Sequence, residues 1–238
     1  MNTKSRFPMV FAGAMSVATI ASVASVWPAI AGASRPSDDQ VRAQIQRIIA
    51  SGAEGGGRPA EDTAAALSIS RSIIKGNDRV ATIGNAGAPD MVEFFDYNCG
   101  YCRQFTLGVV EPLVQSGRIR VHLVQAPILS PGSRRMALFA AAAMTQGRFQ
   151  AAHAHLTRQH ARTVEEADAL VPGLVAYARL EEGGFRKALR DGSAERVVKE
   201  NERLSAQAQV TGTPMIYVGG RISKGAMTLD QVKAAIAR

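Results

Sequence analysis

The 238-residue sequence is poor in cysteine, in aromatic residues and in long apolar runs. Two cysteines cannot hold a fold together through several disulfides, and no segment after the first 33 residues is apolar for long enough to cross a bilayer. The basic residues are scattered and are not interleaved with aromatic ones, although the formal net charge is +8. We therefore expect no nucleic-acid partner. A content of 46% hydrophobic and 20% charged residues is ordinary for a globular protein.

The N-terminal segment has the pattern of an export signal. Lys4 and Arg6 precede a charge-free stretch, 10–26, that is rich in Ala, Val and Ile. Small residues ending at Ala31 and at Ala33 offer two cleavage sites. We predict a signal peptide over residues 1–33 and a periplasmic location for the mature protein. An uncleaved membrane anchor is the alternative.

Residues 34–79 are predicted to form an N-terminal helical extension. An amphipathic helix over 37–51 is followed by a Gly-rich linker and by a second helix over 60–75. The apolar faces of these helices have two interpretations. Either they fold back onto the rest of the chain, or they join copies of the chain into a homo-oligomer.

From residue 80 onward, strand and helix patterns alternate. The predicted elements are a strand at 91–96, a helix at 99–114, a strand at 119–124, a mostly helical stretch at 131–209 with breaks at 147, 172–173, 183–184 and 192, a strand at 214–218, a return strand at 221–224, and a last helix at 229–237 capped by Thr228. This order predicts an α/β protein with a thioredoxin-type core that is interrupted by a helical insertion.

The two cysteines stand together in Cys99-Gly100-Tyr101-Cys102, at the start of a predicted helix. A disulfide across a two-residue gap closes too short a loop to stabilise a fold much. In the oxidising compartment that an exported protein enters, we therefore favour a redox-active pair over a structural disulfide. Unpaired N–H groups and the helix dipole favour a thiolate at Cys99, and we expect its pKa to lie below about 8.5. Cys99 would then attack a disulfide, and the more buried Cys102 would resolve the mixed disulfide.

Two further elements complete the candidate site. Glu93 lies six positions before Cys99 in an otherwise apolar strand. It is either a buried acid with a raised pKa that takes the proton of Cys102, or a solvent-facing residue on the polar side of the strand. The dipeptide Thr213-Pro214 begins a later strand. A cis bond there would leave the backbone of Thr213 free to pair with an extended peptide, whereas a trans proline would only begin the strand.

The strand, the cysteine motif and the distant Thr-Pro together resemble the DsbA-like thioredoxin superfamily. They are most similar to the suppressor-of-copper-sensitivity C (ScsC) and Com1-like branch of exported thiol–disulfide oxidoreductases. The resemblance covers residues 80–238, with the helical insertion at about 131–209. It implies that Pro214 is cis and faces the site, that Cys99 is an exposed nucleophile and that Glu93 is the buried acid. It also implies that Gly100, Tyr101, Thr213 and Pro214 contact substrate.

The resemblance implies disulfide exchange with exported protein substrates, a membrane redox partner, and no cofactor beyond the Cys99–Cys102 disulfide itself. Gly-Tyr replaces the Pro-His of strongly oxidising relatives, and Tyr101 cannot supply a charge that stabilises the thiolate. We therefore favour an isomerase or reductase over a strong oxidase.

Two alternatives use the same cysteines. One is a periplasmic copper or soft-metal carrier that binds through both thiolates, in keeping with the copper association of this branch. The other is a module with an inert disulfide. His153, His155 and His160 lack the i, i+4 spacing of a zinc pair, so we predict solvent-facing or partly packed histidines and no metal site.

Overall fold

The structure, a computed structural model, describes residues 60–237, with side chains from residue 64 onward. The predicted signal peptide 1–33 and the predicted helix 37–51 lie outside the described residues. Of the helices within 60–237, none combines the length and the apolar character that crossing a membrane requires.

The first described helix, α1, spans Ala60–Lys75, as the sequence pattern predicts. Ala66 and Ile73 lie seven positions apart on one face and are buried. They pack in one cluster with Val92 and Phe94 of the central strand. This helix therefore folds back onto the core, which was one of the two interpretations of the extension.

The core is a five-stranded mixed sheet. Its strands are β1 (Ala81–Gly84), β2 (Asp90–Phe95), β3 (Arg120–Gln125), β4 (Met215–Val218) and β5 (Arg221–Lys224). The spatial order is β1-β3-β2-β4-β5, with β2 parallel to β3 and every other neighbouring pair antiparallel. The sequence analysis did not identify β1, because four residues at a sheet edge carry too little periodic signal.

The helix predicted over 99–114 is divided into three segments. These are α2 (Gly100–Phe105), a π-helical segment (Thr106–Val110) and α3 (Glu111–Gln115). Pro112 explains the division, because a proline inside a helix has no N–H to donate and its ring crowds the preceding turn. The helix widens just before it, so that the Glu111 N–H reaches back five residues to the Thr106 carbonyl.

Between β3 and β4 the chain is mostly helical. The helices are α4 (Pro131–Met144), α5 (Phe149–Leu156), α6 (Val164–Asp168), α7 (Val171–Ala178), α8 (Glu182–Arg190) and α9 (Ser193–Gln207). After β5, α10 (Leu229–Ile236) begins at the predicted cap, where Thr228 and Gln231 form a capping box. One face of the sheet packs against α2, α10 and the insertion helices that precede α9, and the other against α1 and the C-terminal part of α9.

Two of the predicted helix breaks lie a few residues earlier than predicted, at 169–170 and 179–181. Pro172 and Gly173 lie in the first turn of α7, where a proline is tolerated because its N–H would have no helical partner. Gly183 and Gly184 lie in the first turn of α8, where both N–H groups donate to the carboxylate of Glu181. A Cβ on either glycine would crowd that carboxylate, so the glycine pair starts a helix here.

Candidate active site

Strand β2 leads into a short loop that places Cys99 at the N-cap of α2. The Cys99 N–H donates to the Asp96 carbonyl at 3.1 Å, and the Asn98 N–H donates to the Asp96 carboxylate at 2.8 Å. Cys99 has extended backbone angles, φ −76° and ψ 114°, and its Sγ accepts a hydrogen bond from the Cys102 N–H at 3.2 Å. The sulfur therefore takes the position that a serine or aspartate side chain occupies in a common helix cap.

Cys99 is buried, with 5% of its surface exposed, and the expectation of an exposed nucleophile is wrong for this structure. Its Sγ lies 3.3 Å from the Thr213 carbonyl oxygen, to which the thiol donates. Both cysteines are free thiols here. The exposed part of the motif is Tyr101, which is 69% exposed, and the space beside Gly100 is open.

The surroundings of Cys99 favour its thiolate. A hydrogen bond from the Cys102 side chain lowers the pKa of Cys99 from 9.0 to about 6, against the opposing effect of burial. That value includes smaller lowering contributions from the Thr213 side chain and from the N–H groups of Cys102 and Tyr101. The predicted direction is confirmed. However, the leading cause is the partner thiol, and the end of the helix contributes less than we expected.

The other two ionisable groups of the site are held in their neutral forms. Burial raises the pKa of Cys102, and the charges of Glu93 and Cys99 raise it further. Glu93 is fully buried, and neither of its carboxylate oxygens has a hydrogen-bond partner within the structure described. Burial, and secondly the charge of Cys99, raises the pKa of Glu93 to about 8. Of the two interpretations of Glu93, the buried acid is the one found.

The Thr213–Pro214 peptide bond is cis, as the resemblance implied. Pro214 is buried and Thr213 half-buried, just before β4. The hydroxyl of Thr213 is buried and has no hydrogen-bond partner in the described part of the chain. The sequence analysis thus names five groups that the structure brings to one place: the two thiols, Thr213, Pro214 and the carboxyl of Glu93.

His153 differs from its predicted environment. It is 3% exposed, its ring stacks on Phe149, and its Nδ1 lies 3.2 Å from the hydroxyl of Tyr97, two residues before Cys99. Burial lowers the pKa of His153 to about 4, so the imidazole is neutral at physiological pH. Among residues 60–237, no group of three or more histidine, cysteine or acidic side chains could hold a metal ion.

The sequence analysis missed Asn98 and Arg103, which flank the cysteine motif. Both side chains hydrogen-bond to the helical insertion. Their main-chain partners lie more than fifty positions further along the chain, and the serines that Asn98 also contacts lie more than thirty positions away, so no local pattern could have identified them.

A dithiol that caps a helix after the central strand and faces a cis-proline defines a class, the thiol–disulfide oxidoreductases of thioredoxin fold. A family model described as thioredoxin matches residues 76–238. The chain belongs to this thioredoxin family.

Solved structures agree with this assignment. A thioredoxin-like oxidoreductase from Silicibacter pomeroyi DSS-3 is 25% identical, with 70% of this chain and 95% of that chain covered at a TM-score of 0.62. The catalytic domain of Proteus mirabilis ScsC is 23% identical, with 73% and 98% covered at a TM-score of 0.59, and shows the shared fold. The fold that the resemblance to the DsbA-like and ScsC group implied is confirmed.

One protein of similar sequence is named as an ion antiporter rather than as an oxidoreductase. The Na(+)/H(+) antiporter NhaA 1 of Salinispora arenicola is 30% identical over 186 residues, which cover 75% of this chain. These residues span only 28% of the antiporter's length. The match therefore carries no implication of ion transport for this chain.

Proposed function

We propose that this protein exchanges disulfides with exported protein substrates through Cys99 and Cys102. The observation that carries the proposal is the position of the Cys99 sulfur, which lies 3.2 Å from the Cys102 N–H and 3.3 Å from the Thr213 carbonyl. The Cys102 N–H favours the thiolate form of this sulfur, and the contact with the Thr213 carbonyl places the sulfur beside a backbone that can receive a peptide.

In the first step of a reduction, the Cys99 thiolate attacks one sulfur of a substrate disulfide. The new bond joins Cys99 to the substrate, the substrate S–S bond breaks, and the second substrate sulfur leaves as a thiolate. A Cys99 pKa of about 6 means that most of the reduced protein carries the attacking species at pH 7. No cofactor takes part, because the two electrons come from the dithiol.

In the second step, Cys102 resolves the mixed disulfide. Its thiol transfers a proton to the carboxylate of Glu93, and its sulfur then attacks Cys99, which releases the remaining substrate sulfur and leaves a Cys99–Cys102 disulfide. Once Cys99 is in the mixed disulfide it has no charge, and one of the two causes that raise the pKa of Glu93 is gone. A larger fraction of Glu93 is therefore ionised, and able to accept a proton, at the step that requires an acceptor.

Substrate peptides would bind in extended form along the backbone of Thr213, beside Pro214. Gly100 and the exposed ring of Tyr101 form the other side of the entrance. Between the cysteines, Gly-Tyr supplies no cation to stabilise the thiolate further, which favours an isomerase or reductase over a strong oxidase. The signal pattern of residues 1–33 supports a periplasmic location, where a membrane redox partner would restore the dithiol. Because α1 packs on the core of its own chain, the homo-oligomerisation that we propose falls to the predicted helix over 37–51.

Reduction of insulin and reactivation of scrambled ribonuclease test the proposal. We expect activity from the wild-type chain, none from Cys99→Ala, and an accumulated mixed disulfide from Cys102→Ala. Equal activity in the Cys99→Ala variant would refute the assigned role. Stoichiometric Cu(I) binding by the two thiols in a chain that lacks exchange activity would instead favour the carrier alternative.

A further inference from the structure

One short segment of the helical insertion contacts both sides of the cysteine motif. Residues 157–161, which we call the anchoring segment, connect α5 to α6. Their main-chain groups bind the side chain of the residue just before Cys99 and the side chain of the residue just after Cys102.

The first contact is made by Asn98. Its Nδ2 donates to the Ala161 carbonyl at 2.6 Å, and its Oδ1 accepts from the Ala161 N–H at 3.0 Å. These partners fix the orientation of the amide, because a carbonyl only accepts and an N–H only donates. The same Nδ2 also lies within hydrogen-bond distance of Ser130 and Ser133, at the start of α4.

The second contact is made by Arg103. Its Nε donates to the Thr157 carbonyl at 2.9 Å, and its Nη2 donates to the Gln159 carbonyl at 2.6 Å. The planar guanidinium thus bridges two carbonyls of the anchoring segment from two separate nitrogens, a fixed geometry that the single ammonium nitrogen of a lysine does not reproduce.

The far side of the anchoring segment is held by Gly132. The Gly132 N–H donates to the Arg162 carbonyl at 3.1 Å, next to the end of the segment. A Cβ at this position would overlap the Ala161 carbonyl, the same oxygen that accepts from Asn98. A single methyl group added at Gly132, thirty positions beyond Cys102, must therefore move the anchoring segment.

We propose that the anchoring segment is a positioning element for the dithiol, which holds Asn98 and Arg103 so that the Cys99 sulfur stays between the Cys102 N–H and Thr213. The purpose that we give to this element rests on the proposed function, whereas the alkylation measurement that tests it does not require exchange activity. The insertion thereby contributes to the reactivity of cysteines that belong to the thioredoxin core.

Three substitutions disturb this element without changing any charge: Asn98→Ala, Arg103→Lys and Gly132→Ala. The readout is the pH dependence of Cys99 alkylation by iodoacetamide in the reduced protein, because the rate follows the fraction of thiolate. For the wild type we expect a midpoint near pH 6. A midpoint higher by about one pH unit lowers the rate at pH 6 about fivefold, and we expect a loss of that order from each variant.

Asn201→Ala is the matched control. Asn201 is also buried and connects a helix to a strand, through the Gln125 N–H at 2.8 Å and the Arg79 carbonyl at 2.7 Å. Within residues 60–237 its side chain makes its other hydrogen bond to Val197 of its own helix and none to the cysteine loop. We expect this variant to lose thermal stability and to keep the wild-type alkylation midpoint. If Asn98→Ala does not fold, Asn98→Ser carries the test, since a hydroxyl retains one donor.

The proposal is overturned if all three variants lose stability as the control does and keep the wild-type midpoint. Exchange activity measured on the same samples separates the two claims. A wild-type chain that is inactive but has a low midpoint would refute the proposed function. The alkylation midpoints of the three variants would still show whether the anchoring segment positions the dithiol.

Discussion

Glu93 makes the stability of the reduced protein depend on pH in a way that one substitution should remove. Its pKa is raised from 4.5 to about 8 by burial, and secondly by the charge of Cys99. The folded protein therefore holds this proton more tightly than the unfolded chain does, and stability falls as the pH rises from about 4.5 to about 8. At about 1.4 kcal/mol for each pH unit between these values, the full loss above pH 8 is about 5 kcal/mol.

The substitution Glu93→Gln keeps the shape of the side chain and removes the ionisation. We expect the reduced variant to match the wild type within about 1 kcal/mol at pH 4.5, and to exceed it by several kcal/mol at pH 9, in denaturant unfolding. The Cys99 thiolate contributes to both chains and largely cancels in the difference. Glu182→Gln, on an exposed ion pair of α8, is the control and should leave the pH 9 stability within about 0.5 kcal/mol. A Glu93→Gln chain that is no more stable than the wild type at pH 9 would refute the reasoning.

Two other substitutions follow from the same geometry. Cys102→Ala removes the group that lowers the pKa of Cys99 most, so the alkylation midpoint of Cys99 should rise above pH 6, and an unchanged midpoint would contradict the role of the partner thiol. His153→Gln should reduce the loss of stability in acid. The pKa of His153 is about 4 in the folded protein against an ordinary 6.5, so the free energy of unfolding of the wild type falls by about 3 kcal/mol as the pH falls from 6.5 to 4. Urea unfolding at pH 4 and pH 7 measures the difference, and equal acid losses in both chains would count against a buried neutral imidazole.

The dithiol site was predictable because its signals are local. A Cys-x-x-Cys motif at the start of a helix constrains the sulfur of Cys99 through groups only three residues away, and a strand before it places Glu93 below the helix. The strand alone could not decide whether Glu93 is buried. Its burial depends on the helices that cover this face of the sheet.

The rest of the site depends on contacts that sequence patterns do not encode. Asn98 meets Ala161 across 63 positions, and Arg103 meets Thr157 across 54. Both interactions use main-chain carbonyls, which every residue has, so the identity of the partner leaves no trace in the sequence. The burial of His153 has a similar origin, since its cover comes from Phe95, Tyr97 and Phe149.

Titration of the reduced protein, followed by thiolate absorbance or by the alkylation rate of Cys99, tests the whole account most directly. The structure predicts a pKa of about 6 against an ordinary value of 9.0. That difference stabilises the reduced folded protein by about 1.4 kcal/mol at pH 7, or about 30 mV in reduction potential, and it is lost as the pH falls through 6. A sulfur that ionises near pH 9 would contradict the account, because neither the helix cap nor the partner thiol would then be activating it.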